Sequence, residues 1–149
     1  MLSSVPRMQQ KLVLRVVGRG FVPFIVLFGC YVQFHGDFGP GGGFQAGVIA
    51  AAGVILYALI FGLDATLRAL PPSWVQIGAT LGVLLYGGTG IAGLLLGGKF
   101  LDYSVLDAHD PVHGQHLGIL LVELGVGITV ACAMIVFYYA FAGRKSPAQ

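Results

Sequence analysis

Four long runs of apolar residues dominate this chain, at approximately residues 12–34, 44–63, 74–97 and 117–141. About 20 helical residues cross the ~30 Å hydrocarbon core of a bilayer, and inside lipid only helices and closed barrels satisfy the backbone. Charged residues make up 9% of the chain, against about 25% in an average soluble domain. The sequence therefore predicts an all-α integral membrane bundle of four transmembrane helices, formed by residues 1–149 as a single transmembrane domain in the lipid bilayer.

The basic residues are distributed unevenly about the four predicted spans. If the N-terminus is cytoplasmic, four crossings return the C-terminus to the cytoplasm, and Lys99 is the one basic residue on the outer side. Because cytoplasmic loops are enriched in Lys and Arg, we expect both termini to be cytoplasmic. The basic residues on the inner side are then Arg7, Lys11, Arg15, Arg19, Arg68, Arg144 and Lys145.

Glycine is frequent, at 24 of the 149 residues, and several glycines recur at G-x-x-x-G spacing. In lipid, small residues let helix backbones approach closely and so promote helix association. Four helices cannot use all of these faces on one another, so we expect other membrane subunits as partners. The two pairs in the third span are the main helix-packing candidates. The pairs are Gly43 and Gly47, Gly78 and Gly82, Gly93 and Gly97, and Gly114 and Gly118.

A glycine-rich segment, residues 35–47, connects the first two spans. Free N–H groups at the start of the second helix could meet a carboxylate, and Asp37 is the nearest candidate. Two interpretations stay open: a tight turn with a helix cap, which we favour, and an ion contact. A phosphate loop is excluded because the segment lacks a Gly-Lys-Ser/Thr ending. The residues that form the turn and the helix start are Pro40, Gly41, Gly42, Gly43, Phe44 and Gly47.

Glu123 is the one ionisable residue of the fourth predicted span, about six residues from its start. A carboxylate in lipid is costly and normally faces protein or water, often on an ion or proton route. Helical spacing places His116, Leu120, Gly127 and Ala131 on the same face, and its small residues predict packing against another helix. An ion-pathway role, a buried hydrogen bond and a salt bridge to another subunit all stay open. The ion-pathway candidates are Glu123, Asp37, His35 and His116.

His109, Asp110, His113 and His116 precede the fourth span and raise the question of a metal site. Pro111 is expected to interrupt a continuous helix here, and at an aqueous edge such residues are more often simply solvated. We therefore predict no metal and no cofactor. No nucleophile accompanies a base, and no basic stripe is interleaved with aromatic residues. We expect neither an enzyme nor a partner nucleic acid.

The run Gly-Pro-Gly-Gly-Gly-Phe-Gln-Ala-Gly-Val-Ile, from Gly39 to Ile49, resembles the signature of the MnhB/MrpB family. Members of this family are small membrane subunits of Mrp-type (Mnh or Pha) multisubunit cation/proton antiporters. That signature is a Pro-Gly-Gly-Gly-Phe segment that opens the second helix after a short loop with a His or an acidic residue. The similarity extends to the four spans, the basic N-terminus and an outer loop at residues 101–118.

The resemblance implies an accessory subunit of a complex of several membrane proteins in the bacterial cytoplasmic membrane. Such a complex exchanges external H+ for internal Na+ and supports pH homeostasis. In these complexes the largest subunits contain the main proton machinery, while the MnhB-type subunit supports assembly and activity, and we expect it to line part of the ion route. Two alternatives stay open: a homologous subunit of a redox-driven pump such as a membrane-bound hydrogenase, and a purely structural scaffold. A self-contained transporter is disfavoured because the chain lacks an inverted repeat of broken helices.

Overall fold

The computed structural model describes residues 12–36, 41–107 and 109–144, and all regular structure within these ranges is helical. Four of the helices are long and apolar enough to cross a membrane. This confirms the predicted all-α fold with four membrane-crossing helices. That the whole chain forms one domain stays a prediction. In chain order the elements are α1 (Leu12–His35), α2 (Gly43–Phe61), α3 (Leu63–Ala69), α4 (Pro72–Leu95), a 3-10 helix (Tyr103–Leu106) and α5 (Pro111–Ala142).

α5 begins at Pro111, earlier than the apolar run of the fourth span indicated. Asp110 caps the helix, because its carboxylate accepts the backbone N–H groups of Val112 and His113 at 3.0 and 3.2 Å. Proline suits the first helical position, where its missing N–H would have no helical partner. No helix continues through His109 and Asp110, as predicted from Pro111, and α5 begins six residues before the predicted start of the fourth span at residue 117.

The long helices form a row in the order α1, α2, α5, α4, and α1 contacts α5 only slightly. α2 and α5 run in the same direction, while α1 and α4 run opposite to their neighbours. A small buried core of Ala51, Val75 and Ile135 joins α2, α4 and α5. Because a row leaves both of its faces open, most large apolar side chains of α1 and α4 are exposed. Close approach at each interface involves glycines: Gly29 between α1 and α2, Gly47 and Gly127 between α2 and α5, and Gly82 and Gly125 between α4 and α5.

Contacts at one end of the row, which we name the basic end, bring the start of α1 beside the end of α2. Arg15 and Arg19 lie over the ring of Phe61, 5.8 and 5.9 Å from its centroid. On the same side, the hydroxyl of Tyr139 in α5 donates to the carbonyl of Leu70, just before α4, at 2.9 Å. The start of α1 and the end of α5 therefore lie on one side, as an even number of crossings requires. That this side is cytoplasmic stays a prediction.

At the opposite end, the turn between α1 and α2 and the loop between α4 and α5 lie at different heights along the helix axes. Gly43, the first residue of α2, packs against Glu123, which follows Pro111 by about twelve residues, or roughly 18 Å of helix. The first turns of α5 pack instead against the 3-10 helix, where Tyr103 lies against Gly114 and Gly118. The turn between α1 and α2 thus lies beside the middle of α5, well below the loop between α4 and α5.

Candidate functional site

The start of α2 packs directly against the backbone of α5. A Cβ atom on Gly43 would overlap the backbone carbonyl of Glu123, and one on Gly47 would lie 2.5 Å from the carbonyl oxygen of Gly127 and 3.1 Å from the nitrogen of Ala131. Real Cβ atoms essentially never approach another heavy atom within 3.0 Å, so this approach requires glycine. The part of the predicted face formed by Glu123, Gly127 and Ala131 therefore packs against another helix, whereas its other members, His116 and Leu120, are exposed.

The side chain of Glu123 extends into the turn between α1 and α2. Its Oε2 atom lies 2.7 Å from the position of a Cβ atom on Gly36, and its Oε1 atom lies 3.1 Å from the corresponding position on Gly42. Gly42 has a φ of +135°, which glycine adopts far more readily than other residues. The glycines therefore leave the space that the carboxylate occupies. We refer to Glu123, Gly36, Gly42 and Gly43 as the glycine–carboxylate site.

The carboxylate lies beside the start of α2, and this position has an electrostatic consequence. The first N–H groups of a helix lack acceptors within the helix, and the aligned peptide dipoles place a partial positive charge there. The helical hydrogen bonds of α2 begin with the bond from the N–H of Ala46 to the carbonyl of Gly42, at 3.1 Å. The start of α2 therefore presents N–H groups and a partial positive charge beside this carboxylate, in a segment where a charge is otherwise costly.

The Glu123 residue is half-buried, so part of it is exposed at the surface of this chain. It lines an open groove of about 370 Å³ between α2 and α5. A carboxylate that is stabilised by a helix start and open to a groove can bind a cation or exchange a proton without local unfolding. The other lining residues are Gly41, Gly42, Gly43, Phe44, Gln45, Val122 and Val126.

A second polar side chain near this site is Gln33 of α1. It lies against Gly127, which follows Glu123 by about one helical turn in α5. Its Oε1 atom is 2.5 Å from the position of a Cβ atom on Gly127, and the carbonyl oxygen of Gly43 is 3.1 Å from the same position. Gln33 was not among the predicted site residues. The signal that could have identified it is an uncharged amide side chain near the end of an otherwise apolar span.

The other ion-pathway candidates lie elsewhere or outside the described residues. His35 immediately precedes Gly36, but its ring is exposed and stacks on Tyr31 with 5.2 Å between centroids. His116 is also exposed and precedes Glu123 by two helical turns, about 10 Å along the axis. Asp37 and Pro40 lie outside the described residues, so their roles stay predictions.

The four helix-packing candidates of the third span differ in what they contact. Gly78 and Gly82 pack against α5, where a Cβ atom on either would lie 2.8 Å or less from an α5 atom. Gly93 instead packs against the backbone of the loop that follows α4. Gly97 lies beyond the end of α4, with a φ of +88° and no other described atom within 4 Å of its Cβ position. Within the described part of the chain, only the first pair packs helix against helix.

The acidic residues and histidines before α5 form a self-contained turn. Asp107 accepts the backbone N–H groups of His109 and Asp110 at 2.9 and 3.2 Å, and it pairs with Nδ1 of His113 at 2.9 Å. These hydrogen bonds, foremost the one from His109, hold the pKa of Asp107 below its ordinary value of 3.8. Within residues 12–36, 41–107 and 109–144, no three His, Cys, Asp or Glu side chains are grouped so that they could hold a metal ion. These residues shape the loop and cap α5.

Comparison with known proteins identifies the family. Residues 13–136 match the family described as "Domain related to MnhB subunit of Na+/H+ antiporter". This chain belongs to the MnhB family. A Staphylococcus haemolyticus protein named "Putative antiporter subunit mnhB2" is 34% identical to it over 140 residues, which is 93% of this chain and 99% of that relative. A protein of the same name from Staphylococcus aureus is 32% identical over the same shares.

The resemblance inferred from the glycine-rich segment is therefore confirmed, and the similarity extends over nearly the whole chain. With four helices able to cross a bilayer, this MnhB-family chain is a multi-pass membrane protein. The part of the signature that the structure describes, from Gly41 to Ile49, forms the start of α2 and one wall of the glycine–carboxylate site. The family's sequence signature and the carboxylate of α5 thus meet at one place.

Proposed function

We propose that this MnhB-family chain is an accessory subunit of a multisubunit Na+/H+ antiporter in the bacterial cytoplasmic membrane, and that Glu123 lies on its ion route. The relatives are named as antiporter subunits, which favours this host complex over a redox-driven pump. Both termini face the cytoplasm, in accordance with the distribution of basic residues. Na+ and H+ are the transported ions, and the chain is a transporter subunit rather than an enzyme.

The open row of helices supports an accessory role. An ion route through a membrane must be enclosed by protein or by water-filled cavities, and a single row of four helices encloses little. All four long helices are largely uncovered by this chain, since 11%, 33%, 22% and 17% of the most apolar stretches of α1, α2, α4 and α5 are buried. Gly88 of α4 is exposed and has open space beside it among the described residues, which would let another subunit's helix approach closely.

The observation that carries the proposal is the position of the Glu123 carboxylate in the glycine turn at the start of α2. Intramembrane carboxylates commonly belong to ion or proton routes. The start of α2 stabilises the anionic form, and a cation or proton that enters from the groove can neutralise it. Alternation between these two states is what an antiporter needs from a group on its route.

The test is the Glu123→Gln variant in the intact complex, with Na+/H+ antiport measured in everted membrane vesicles and assembly measured by blue native electrophoresis. Glutamine keeps the size of the side chain but cannot ionise. We expect antiport to fall by about tenfold or more, a loss typical of removing a group that transfers protons, while the complex stays assembled. The matched control is Asp64→Asn, which neutralises an exposed carboxylate of α3 and should leave antiport unchanged.

Two results would reject this role for Glu123. Undiminished antiport in the Glu123→Gln variant would remove the carboxylate from the ion route and leave a scaffold subunit. Loss of the assembled complex in that variant alone would show that the carboxylate is structural.

A further inference from the structure

Two arginines at the basic end share one aromatic contact. The guanidinium groups of Arg15 and Arg19 both lie within 5.9 Å of the centroid of the Phe61 ring, and both side chains are exposed. Among the residues that the structure describes, neither forms an ion pair with a carboxylate. Two positive charges therefore lie close together at the end of two apolar helices without a counter-charge from the described part of the chain.

An apolar recess of about 180 Å³ lies between α1, α2 and α3, about one helical turn from Arg19 along α1 and from Phe61 along α2. Val22 follows Arg15 and Arg19 at helical spacing, so it lies on the same face of α1 and one turn closer to the middle of the bilayer. On α2, Tyr57 lies one turn before Phe61, and the two rings are in contact with 4.6 Å between centroids. The recess therefore continues the same surface toward the membrane interior. Its lining residues are Val22, Val54, Tyr57, Thr66, Ala69 and Leu70.

The threonine hydroxyl at the inner wall of this recess does not make it polar. Thr66 is buried, and its hydroxyl donates to the carbonyl of Gly62 at 3.0 Å. The surface is thus cationic at its outer edge and apolar further in. This is the order of groups in a phospholipid, which has a phosphate at the interface and acyl chains in the membrane core.

We propose that this surface binds one anionic phospholipid, with the phosphate between Arg15 and Arg19 and part of an acyl chain in the recess. Guanidinium groups match the geometry of phosphate oxygens and bind them through paired hydrogen bonds. Basic groups at the cytoplasmic surface also attract anionic lipids. An acidic peptide or a free phosphate would use the arginines but would leave the apolar recess empty, which is why a lipid fits better.

The bound lipid has a structural role that is independent of the role proposed for Glu123. α1 is an end helix of the row, and it packs mainly against α2. A lipid that contacts α1 through the arginines and α1, α2 and α3 through its acyl chain joins these three helices at the basic end. We therefore expect the lipid to stabilise the intact complex against heat.

The first test uses the purified, delipidated antiporter complex, with its thermal unfolding followed during titration with phosphatidylglycerol. Phosphatidylglycerol should raise the Tm of the unmodified complex, and the Arg15→Gln/Arg19→Gln double variant should lose this rise or require at least about tenfold more lipid. Arg68→Gln is the matched control, because Arg68 is an exposed arginine of α3 outside the Phe61 contact and the recess lining. It should keep the full rise.

A second variant tests the recess and leaves the charges unchanged. Ala69 is exposed and lines the recess, so Ala69→Phe should fill the space and reduce the rise in Tm. Ala52→Phe, at an exposed position of α2 outside the recess, should not. This pair decides the question if the double arginine variant fails to assemble.

The proposal is overturned if phosphatidylglycerol does not stabilise the unmodified complex, or if it stabilises the arginine variant equally. The same rise in Tm with phosphatidylcholine would show that the net negative charge of the lipid is not needed. The same rise with inorganic phosphate would show that the acyl chain is not needed. Either result also overturns the proposal. An unchanged response of Ala69→Phe would likewise reject the recess as the acyl-chain site.

Discussion

The two turns at the end opposite the basic end place their polar groups in different ways. The loop between α4 and α5 satisfies its polar groups with its own side chains: Asp107 accepts backbone N–H groups and pairs with His113, and Asp110 caps α5. The turn between α1 and α2 offers glycines, and Glu123 of α5 supplies the carboxylate from elsewhere in the chain.

The difference indicates which turn is structural and which is a candidate for function. Polar side chains that satisfy their own loop are accounted for by the fold. A carboxylate from a distant helix, inserted into a turn whose glycines leave space for it, is costly in a membrane, which makes it a candidate for function. The number of acidic residues and histidines points to the loop before α5, whereas the arrangement of glycines around Glu123 points to the turn between α1 and α2, for which we propose a function.

The largest expected effect comes from adding one methyl group at the contact between α2 and α5. In Gly43→Ala the new Cβ atom would overlap the carbonyl of Glu123, so α2 must move away from α5. Overpacking of this kind costs about 1–3 kcal/mol or more. We expect a lower Tm of the complex and a reduced amount of assembled complex on blue native gels.

The matched control for that substitution is Gly87→Ala. Gly87 is also a helical glycine of a long apolar helix, but no other described atom lies within 4 Å of its Cβ position. Replacing such a glycine by alanine should favour the helix by roughly 0.5–1 kcal/mol, so assembly should be kept. If Gly43→Ala were tolerated as well as Gly87→Ala, the close contact between α2 and α5 would be refuted.

The sequence predicts the helices well because apolar run length determines what can cross a bilayer. It also predicts the contact face of Glu123, Gly127 and Ala131, because helical spacing is a local property. It does not predict the contact partner, since the packing of α2 beside α5 in the same direction depends on which helices are neighbours in space. Proximity along the chain favours Asp37 as a carboxylate at the start of α2, which stays a prediction, and it cannot identify Glu123, which the structure places beside Gly42 and Gly43.

Two departures from the predicted span bounds have local causes. Asp110 and Pro111 form a helix start, with a capping side chain followed by proline at the first helical position, so α5 begins before the apolar run of the fourth span. Gly97 matches G-x-x-x-G spacing, but its φ of +88° shows that it ends α4. G-x-x-x-G spacing alone cannot distinguish a glycine in a helix–helix contact from a glycine that ends a helix.

A smaller effect is expected at the helix cap of the other turn. Asp110→Ala removes the acceptor for the N–H groups of Val112 and His113, which should cost about 1 kcal/mol. Faster hydrogen exchange confined to the first turn of α5 would report the loss, with antiport unchanged. Asp110→Asn is the control, because asparagine caps helices about as well as aspartate. Reduced antiport in Asp110→Ala would mean that this loop also contributes to transport.

The smallest expected effect concerns pH and the carboxylate of Asp107. Its pKa lies below the ordinary value of 3.8, chiefly because of the hydrogen bond from the N–H of His109 and next because of the one with His113. A carboxyl group with a lowered pKa stabilises the fold fully above its ordinary pKa, and this contribution is lost as the pH falls through the lowered pKa. Protease resistance of the loop should therefore decrease only at pH values below about 4, and Asp107→Asn should remove that dependence.

The lowered pKa of Asp107 also has a consequence for the pH dependence of antiport. From about pH 6 to pH 9 Asp107 stays ionised, so it cannot produce a change of antiport with pH over that range. Vesicle assays should give the same pH profile for Asp107→Asn as for the unmodified complex, whereas Glu123→Gln should lower antiport across the range. A shifted profile for Asp107→Asn would place both turns on the ion route and would remove the functional distinction between them.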